Sequence, residues 1–250
     1  MLIASLFNFK TLSKMKTVVL IDADSLLYKG IEDLGEYKDR IDTIISDIIT
    51  ETDSSHYRVF LEAPKSKSFR KLLNTTYKKN RKGRPLPINF VEIKQYIMEE
   101  YNAYLSYLEE TDDSVVSTHN YLKKEYPFTD VVIAANDKDY RTKEVTYYDL
   151  FYRRFGEISD ISKDEAKYNF YKQMLMGDSA DNVGGVKGIG SKTADNILKL
   201  SKNPFIITYR TYLTRFGSDA RDKWNKNMNM LYLREDVRPC VEFSEVNYEV

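Results

Sequence analysis

The sequence predicts an α/β fold with a mostly parallel central sheet flanked by helices, followed by a helix-hairpin-helix element. Three observations predict it. Short apolar runs at Thr17–Asp22, His56–Glu62 and Asp130–Asn136 each end in or run up to acids or amides, as buried parallel strands with polar C-terminal ends do. Between the first two, Ile41, Ile44, Ile45, Ile48 and Ile49 form one helical face. Farther on, Gly184, Gly185, Gly188 and Gly190 fall within seven residues between two apolar stretches that read as helices.

Composition narrows the function classes. With 250 residues the chain can bury a sizeable core. Its 38 basic and 38 acidic side chains cancel, so no global field draws it to nucleic acid, and any such binding needs segregated charge. Cys240 stands alone, which excludes an internal disulfide and fits a reducing compartment such as the cytoplasm. His56 and His119 have no Cys/His cluster around them, against a structural zinc. No apolar run approaches membrane-spanning length. Residues 1–16 lack the long apolar core and small-residue site of a secretory signal. Met15 is an alternative start.

Taken in order, Asp22 ends the first strand, where an open α/β sheet places its site; it is equally placed to cap the next segment, as are Asp24 and Ser25. Glu62 ends the second strand. Residues 65–84 then carry Lys65, Lys67, Arg70, Lys71, Lys78, Lys79, Arg81, Lys82 and Arg84 with no acid. A solvated helix face would interleave both signs, so this run reads as a phosphate track. A helix over about 88–109 follows, with Ile93, Ile97, Tyr101, Tyr104 and Leu108 on one face. Glu110, Asp112 and Asp113 open the next helix, where acids also serve as ordinary caps and dipole partners. The third strand runs into Asp137 and Asp139. A further strand is expected at Val145–Phe151 and a helix at Ser162–Met176. Asp178 and Asp181 are spaced to share one face. Directly after them Gly185-Val-Lys187-Gly188-Ile-Gly190 makes a tight hairpin opening onto a helix from Ser191, and amides at a helix N-terminus bind phosphate without reading a base. Trp224 and the pattern up to Tyr232 suggest a helix that packs back on the core. A phosphate-gripping hairpin beside an acid pair that needs cations suggests a nuclease.

At these residues the chain resembles the flap endonuclease or 5′-nuclease family, in particular its short bacteriophage-type members. Gly177-Asp178-x-x-Asp181-Asn182, then Gly185-Val-x-Gly188-Ile-Gly190-x-Lys192, match the family's two adjoining motifs in order. Tyr77-Lys78-x-Asn80-Arg81 matches its Tyr-Lys-x-Asn-Arg, and Glu110-x-Asp112-Asp113 its acid-headed helix. Asp22, Tyr28 and Lys29 match its first block, with Ala23 where the family usually has Gly. Many members have Asp where Glu62 stands. The resemblance spans about residues 18–200.

That resemblance implies a PIN-like nuclease domain over 17–160 with a helical arch over about 65–109. A helix-hairpin-helix module over 161–205 and a C-terminal segment over 206–250 packing back on the core would complete it. Asp22, Glu62, Glu110 and Asp112 would lie on the side of a first metal, and Asp113, Asp137, Asp139, Asp178 and Asp181 on that of a second. Lys78 and Arg81 would reach the scissile phosphate. Tyr28, Lys29, Lys65, Lys67, Arg70, Lys71 and Lys79 would contact single-stranded DNA, and Gly185, Lys187, Gly188, Gly190 and Lys192 the duplex backbone. Oxygen ligands without His or Cys favour two magnesium or manganese ions, and a potassium ion on the hairpin carbonyls is a family feature. The implied substrate is DNA with a 5′ flap, nick or 5′ end, extending to RNA primers in an RNA–DNA hybrid, cut by a monomer in the cytoplasm, that of a bacterial host if the chain is phage-encoded. Two rivals are a non-catalytic helix-hairpin-helix protein that marks DNA ends and a single-strand ribonuclease of the PIN type.

Overall fold

The computed structural model describes residues 16–64, 67–81, 83–150 and 157–246. The sheet is built from β1 (Thr17–Asp22), β2 (His56–Glu62), β3 (Tyr104–Ser106), β4 (Asp130–Ala135), β5 (Val145–Asp149) and β6 (Glu157–Ile161). Their spatial order is β3-β2-β1-β4-β5-β6. All neighbours are parallel except β5 and β6. The order reverses direction at β1, so the ends of β1 and β4 open the crevice where α/β sheets place their ligands.

Side-chain alternation makes two cores, one on each face. Val18, Leu20 and Ile133 turn to one face, against Val115, Val116 and Leu122 of helix α4 (Thr111–Glu125). Val19, Ile21, Val59 and Leu61 turn to the other, against Ile41 and Ile45 of α1 (Leu34–Glu51) and Ile93 and Ile97 of α3 (Phe90–Glu100). Helix α1 starts where Asp33 accepts a hydrogen bond from the Glu36 amide at 2.8 Å.

The predicted helix over 88–109 is shorter. It stops at Tyr101, Asn102 takes φ 44°, a left-handed conformation that Asn tolerates, and Tyr104–Ser106 becomes a strand against β2. Leu108 is exposed rather than on a packed face. Ahead of α3 the basic segment holds only the short α2 (Phe69–Leu73) and a turn of 3₁₀ helix at Lys79–Arg81.

A third core belongs to the helical part. Helices α5 (Lys163–Met176), α6 (Ser191–Leu198), α7 (Pro204–Phe216) and α8 (Ala220–Leu231) close around Met174, Leu175, Tyr212, Trp224 and Met230. Trp224 therefore packs within this helical unit, stacked with Tyr171 and edge-on to Phe205, Tyr209 and Tyr212. The chain returns to the sheet only after α8: Leu233 and Cys240 enter the first core. Two residues, Ser244–Glu245, pair antiparallel with the start of β2. No helix among the described residues is long and apolar enough to cross a membrane.

Candidate active site

A cleft of about 290 Å³ opens at the crevice where β1 and β4 end. Six acids line it: Asp22, Asp24, Glu62, Glu110, Asp112 and Asp137. Strand ends deliver Asp22, Glu62 and Asp137, and the first turn of α4 delivers Glu110 and Asp112. Lys78, Arg81 and Lys94 supply the facing positive charge, and Tyr28 and Phe90 meet edge-on at 5.4 Å on one wall. Tyr28 is 62% exposed, which sets it apart from a core aromatic. Lys29 follows it on the surface.

Asp139, Asp178 and Asp181 extend the acid group toward the helical unit. Gln173 of α5 donates to Asp139 at 2.8 Å. Asp178 accepts from the Ala180 amide at 2.7 Å and pairs with Lys138 at 3.1 Å. Asp181 is gripped from the basic segment: Arg81 pairs with it, Tyr77 donates to it at 2.8 Å, and Lys78 stands 3.8 Å away. Tyr77 and Lys78 also contact Glu110, each at 2.7 Å. The Tyr-Lys-x-Asn-Arg motif thus bridges the two halves of the acid group. Among the described residues no three Asp, Glu, His or Cys side chains close on one point at the spacing of a filled metal site. The cations just named hold several of these oxygens instead.

Two expected site residues are placed elsewhere. Asp113 is fully buried behind the cleft, with its oxygens 2.6 and 2.8 Å from the Arg70 guanidinium and the Arg234 amide donating at 2.7 Å. Neighbours on a helix point about 100° apart, so Asp112 and Asp113 cannot both face one cleft. Arg70, expected on DNA, is 1% exposed. It spends its donors on Asp113, on Glu110 at 3.0 Å and on the Tyr232 carbonyl at 2.9 Å, so no phosphate reaches it. Lys67, Lys71 and Lys79 are exposed, Lys71 lying 3.9 Å from Glu62. Lys65 and Lys82 lie outside the described residues, as does the leader through Met15.

The hairpin is pinned by backbone contact. Gly177–Asp178 pairs antiparallel with Val183–Gly184, and the Val186 amide donates to the Leu175 carbonyl at 2.8 Å. A Cβ on Gly185 would lie 2.2–2.4 Å from backbone atoms of residues 175–177, so close packing requires glycine here. Gly188 takes φ 85° with open space around it, a conformation that favours glycine. Val186 and Ile189 anchor the loop inward, leaving Lys187, Gly188, Gly190 and Lys192 exposed together.

Electrostatics mark the acids as unfit to stay ionised unaided. Burial and then the Asp24 charge push Asp22 up to about 7. Burial and then Asp137 push Asp139 up to about 7. Asp24 and Asp137 are raised by burial, and Asp112 well raised by burial and Asp113. At Glu110 burial works the same way, but Lys78 and Arg70 outweigh it and hold the carboxyl below its usual range. Asp178 is likewise held low, Lys138 overcoming its burial.

A pH dependence follows. Asp22 and Asp139 titrate near 7 in the fold and near 4 in the unfolded chain. Between those values the native state binds more protons, so stability falls as pH rises. Glu110 and Asp178 act oppositely, but only as pH drops through the acid range. In chelator the melting temperature should therefore fall between pH 5 and pH 8, and saturating magnesium should abolish the fall, because bound cations require the ionised acids. A melting temperature flat over this range in chelator would show that these carboxyls are not strained.

No protein-family model matches the chain. It is 26% identical over 210 residues to the 5′-3′ exonuclease of Buchnera aphidicola subsp. Schizaphis graminum, across 76% of this chain and 72% of that protein. It is 26% identical over 217 residues to the flap endonuclease Xni of Shewanella putrefaciens, across 82% and 79%. Among solved structures, the bacteriophage T5 flap endonuclease in complex with DNA and metal ions superposes with a TM-score of 0.63 at 17% identity, covering 87% of this chain and 89% of that one. The chain has the T5 5′-exonuclease fold. A second structure of that exonuclease, with divalent zinc bound, gives a TM-score of 0.60, covering 86% of each chain at 17% identity.

Within this 5′-exonuclease fold, Tyr77 and Lys138, not among the candidates of the sequence, hold acids beside the cleft. Lys94 enters the cleft from α3, and Asp24, which the sequence offers only as a cap, lines it. Its signal was present, since Asp22-x-Asp24 repeats the spacing of Asp137-x-Asp139.

Proposed function

We propose that the chain is a divalent-metal-dependent 5′ nuclease that hydrolyses phosphodiester bonds at the 5′ ends and flaps of DNA, acting as a cytoplasmic monomer. The observation that carries this reading is the acid-lined cleft at the sheet's switch point, bridged by Lys78 and Arg81 from the basic segment. The donor set fits hard cations: it is all oxygen and largely buried, and burial followed by neighbouring carboxylates pushes Asp22 and Asp139 up to about 7. Asp22, Glu110 and Asp112, with Glu62 at the rim, would hold one magnesium or manganese. Asp137, Asp139, Asp178 and Asp181 would hold the other. When bound, such a pair supplies an activated water and charge neutralisation at the phosphate.

The chain's own groups do the rest. Lys78 and Arg81, which pair with Glu110 and Asp181, would neutralise and orient the scissile phosphate, Arg81 with a fork suited to two phosphate oxygens. Tyr28 offers a face for the base next to the cut. Lys67, Lys71 and Lys79, with Lys65, track the single strand. Lys187, Lys192 and the open backbone at Gly188 and Gly190 take the duplex, where carbonyls of the loop would also suit a potassium ion. Asp113 and Arg70 hold the acid-headed helix in place and touch no substrate.

Purified protein on a labelled 5′-flap, a nicked duplex and an RNA-primed duplex tests the reading. Cleavage of the flap should require magnesium or manganese and cease in EDTA. Full cleavage in excess EDTA sinks the metal-dependent reading, and tight flap binding without any cleavage favours the end-binding rival. Lys78→Ala should cut the flap about 10²-fold more slowly, as expected for loss of a charge that stabilises the reacting phosphate, with duplex binding nearly unchanged. A rate equal to the parent's would remove Lys78 from catalysis.

A further inference from the structure

We infer that Asp24, rather than Glu62, supplies the carboxylate that the β1–β2 side of the cleft contributes to the first metal ion. The inference rests on the metal-dependent reading above. The turn after β1 places Asp24 inward. Its two oxygens lie 3.2 and 3.1 Å from the Glu62 amide, and Thr111 donates to it at 2.5 Å. It therefore sits where the ends of β1, β2 and α4 meet, in the lining of the cleft beside Asp22 and Asp112. The Glu62 side chain lines the same cleft but at its outer edge. It is 36% exposed and leans to Lys71 at 3.9 Å. One extra methylene carries its carboxylate to the rim, and Asp24 occupies the inner position.

The neighbouring strand offers an internal comparison. After β1, Asp22 accepts from the Asp24 amide at 3.3 Å. After β4, Asp137 accepts from the Asp139 amide at 2.9 Å. Both pairs open a 3₁₀ turn at the end of a parallel strand. Asp24 is to β1 what Asp139 is to β4. A purely structural clamp is a weaker account. Holding one amide and one hydroxyl needs an acceptor but no charge, and an Asn would serve. A buried carboxylate next to Asp22 costs repulsion unless a cation sits between them. A carboxylate offers about four lone-pair sites, so the Glu62 amide and Thr111 leave Asp24 able to ligate while they orient it.

Calorimetric titration of manganese into the folded protein tests this, alongside melting curves in chelator. Asp24→Asn should weaken the tighter manganese site by about tenfold or more, while Glu62→Gln changes it less than about threefold. In chelator Asp24→Asn should melt at or above the parent's temperature, since a like charge is gone. A clamp would show the reverse, a lower melting temperature with manganese affinity kept, and that result overturns the inference. So does a loss in Glu62→Gln equal to that in Asp24→Asn. Asp24→Ser, which keeps an acceptor for the amide, is read in the same way if Asp24→Asn does not fold. A parent that binds no manganese overturns the metal-dependent reading itself, whereas a parent that binds it only as tightly as Asp24→Asn overturns only the assignment of Asp24.

Discussion

Asp178→Asn combined with Asp181→Asn should lower the single-turnover rate on a 5′-flap by about 10²–10³ at saturating magnesium, the usual cost of losing electrostatic stabilisation of this kind. Flap binding in calcium should hold or tighten. The exchange keeps shape, so the hairpin survives: the amide oxygen that replaces the Asp178 carboxylate can still accept from the Ala180 amide, and Gly185 still packs on residues 175–177. What goes is charge. Asp181 is the partner of Arg81, Tyr77 and Lys78, and Asp178 that of Lys138. Lys78 keeps its pair with Glu110, while Arg81 and Lys138, freed, face the DNA, which is why binding should not fall. If the two acids only solubilise the hairpin, the same freed cations tighten binding and turnover stays intact. A rate within about threefold of the parent's would take both residues out of the site.

How much of this was legible depended on whether one local rule decided the outcome. Asp22 and Asp137 follow β-strands whose apolar runs leave little choice, and the parallel order then brings them together. The Gly-Ile-Gly string forms its turn as expected, because close backbone contact at Gly185 and a left-handed Gly188 admit few other residues; Asp178 and Asp181, spaced to share a helical face, instead lie past the end of α5, Asp178 in a two-residue strand and Asp181 in the turn after it. Adjacent acids misled. The resemblance gives Asp112 to the first metal and Asp113 to the second, yet one helical step turns Asp113 away from the cleft and onto Arg70. The basic run misled likewise, since a one-sided charge count cannot show that Arg70 belongs to the buried side of α2. The helix over 88–109 ran too far because apolar residues continued at helical spacing past Asn102, whose left-handed backbone ends it. Helix α7 was missed although Asn203-Pro204, a cap followed by proline at the first helical position, announces it. The helix of Trp224, expected to pack back on the nuclease core, joins the helical unit instead, because a lone pattern of apolar residues does not say which core it joins.

Arg70→Ala should be the most destabilising single change in the cleft's support, by about 3–5 kcal/mol, the cost of removing one partner from a buried ion pair. For a chain of this length that is a drop in melting temperature of roughly 6–20 °C. The guanidinium is 1% exposed and joins three parts of the fold: α2, which carries it, the head of α4 through Asp113 and Glu110, and the segment after α8 through the Tyr232 carbonyl. Without it Asp113 keeps the Arg234 amide but loses its only cation among the contacts named, and Glu110 is left to Lys78. Arg70→Lys should recover only part of the loss, because an ammonium cannot span both Asp113 oxygens as the planar fork does. Replacing both partners, Arg70→Met with Asp113→Leu, should recover more, since no uncompensated charge then remains at Asp113. The phosphate-contact role expected from the basic run predicts a different outcome. In that case Arg70→Ala melts like the parent and lowers the salt slope of DNA binding by about one. Thermal melts beside a salt titration of flap binding, made below the variant's melting temperature, separate the two. An unchanged melting temperature with a reduced slope would return Arg70 to the DNA surface and undo the placement of Asp113 behind the cleft.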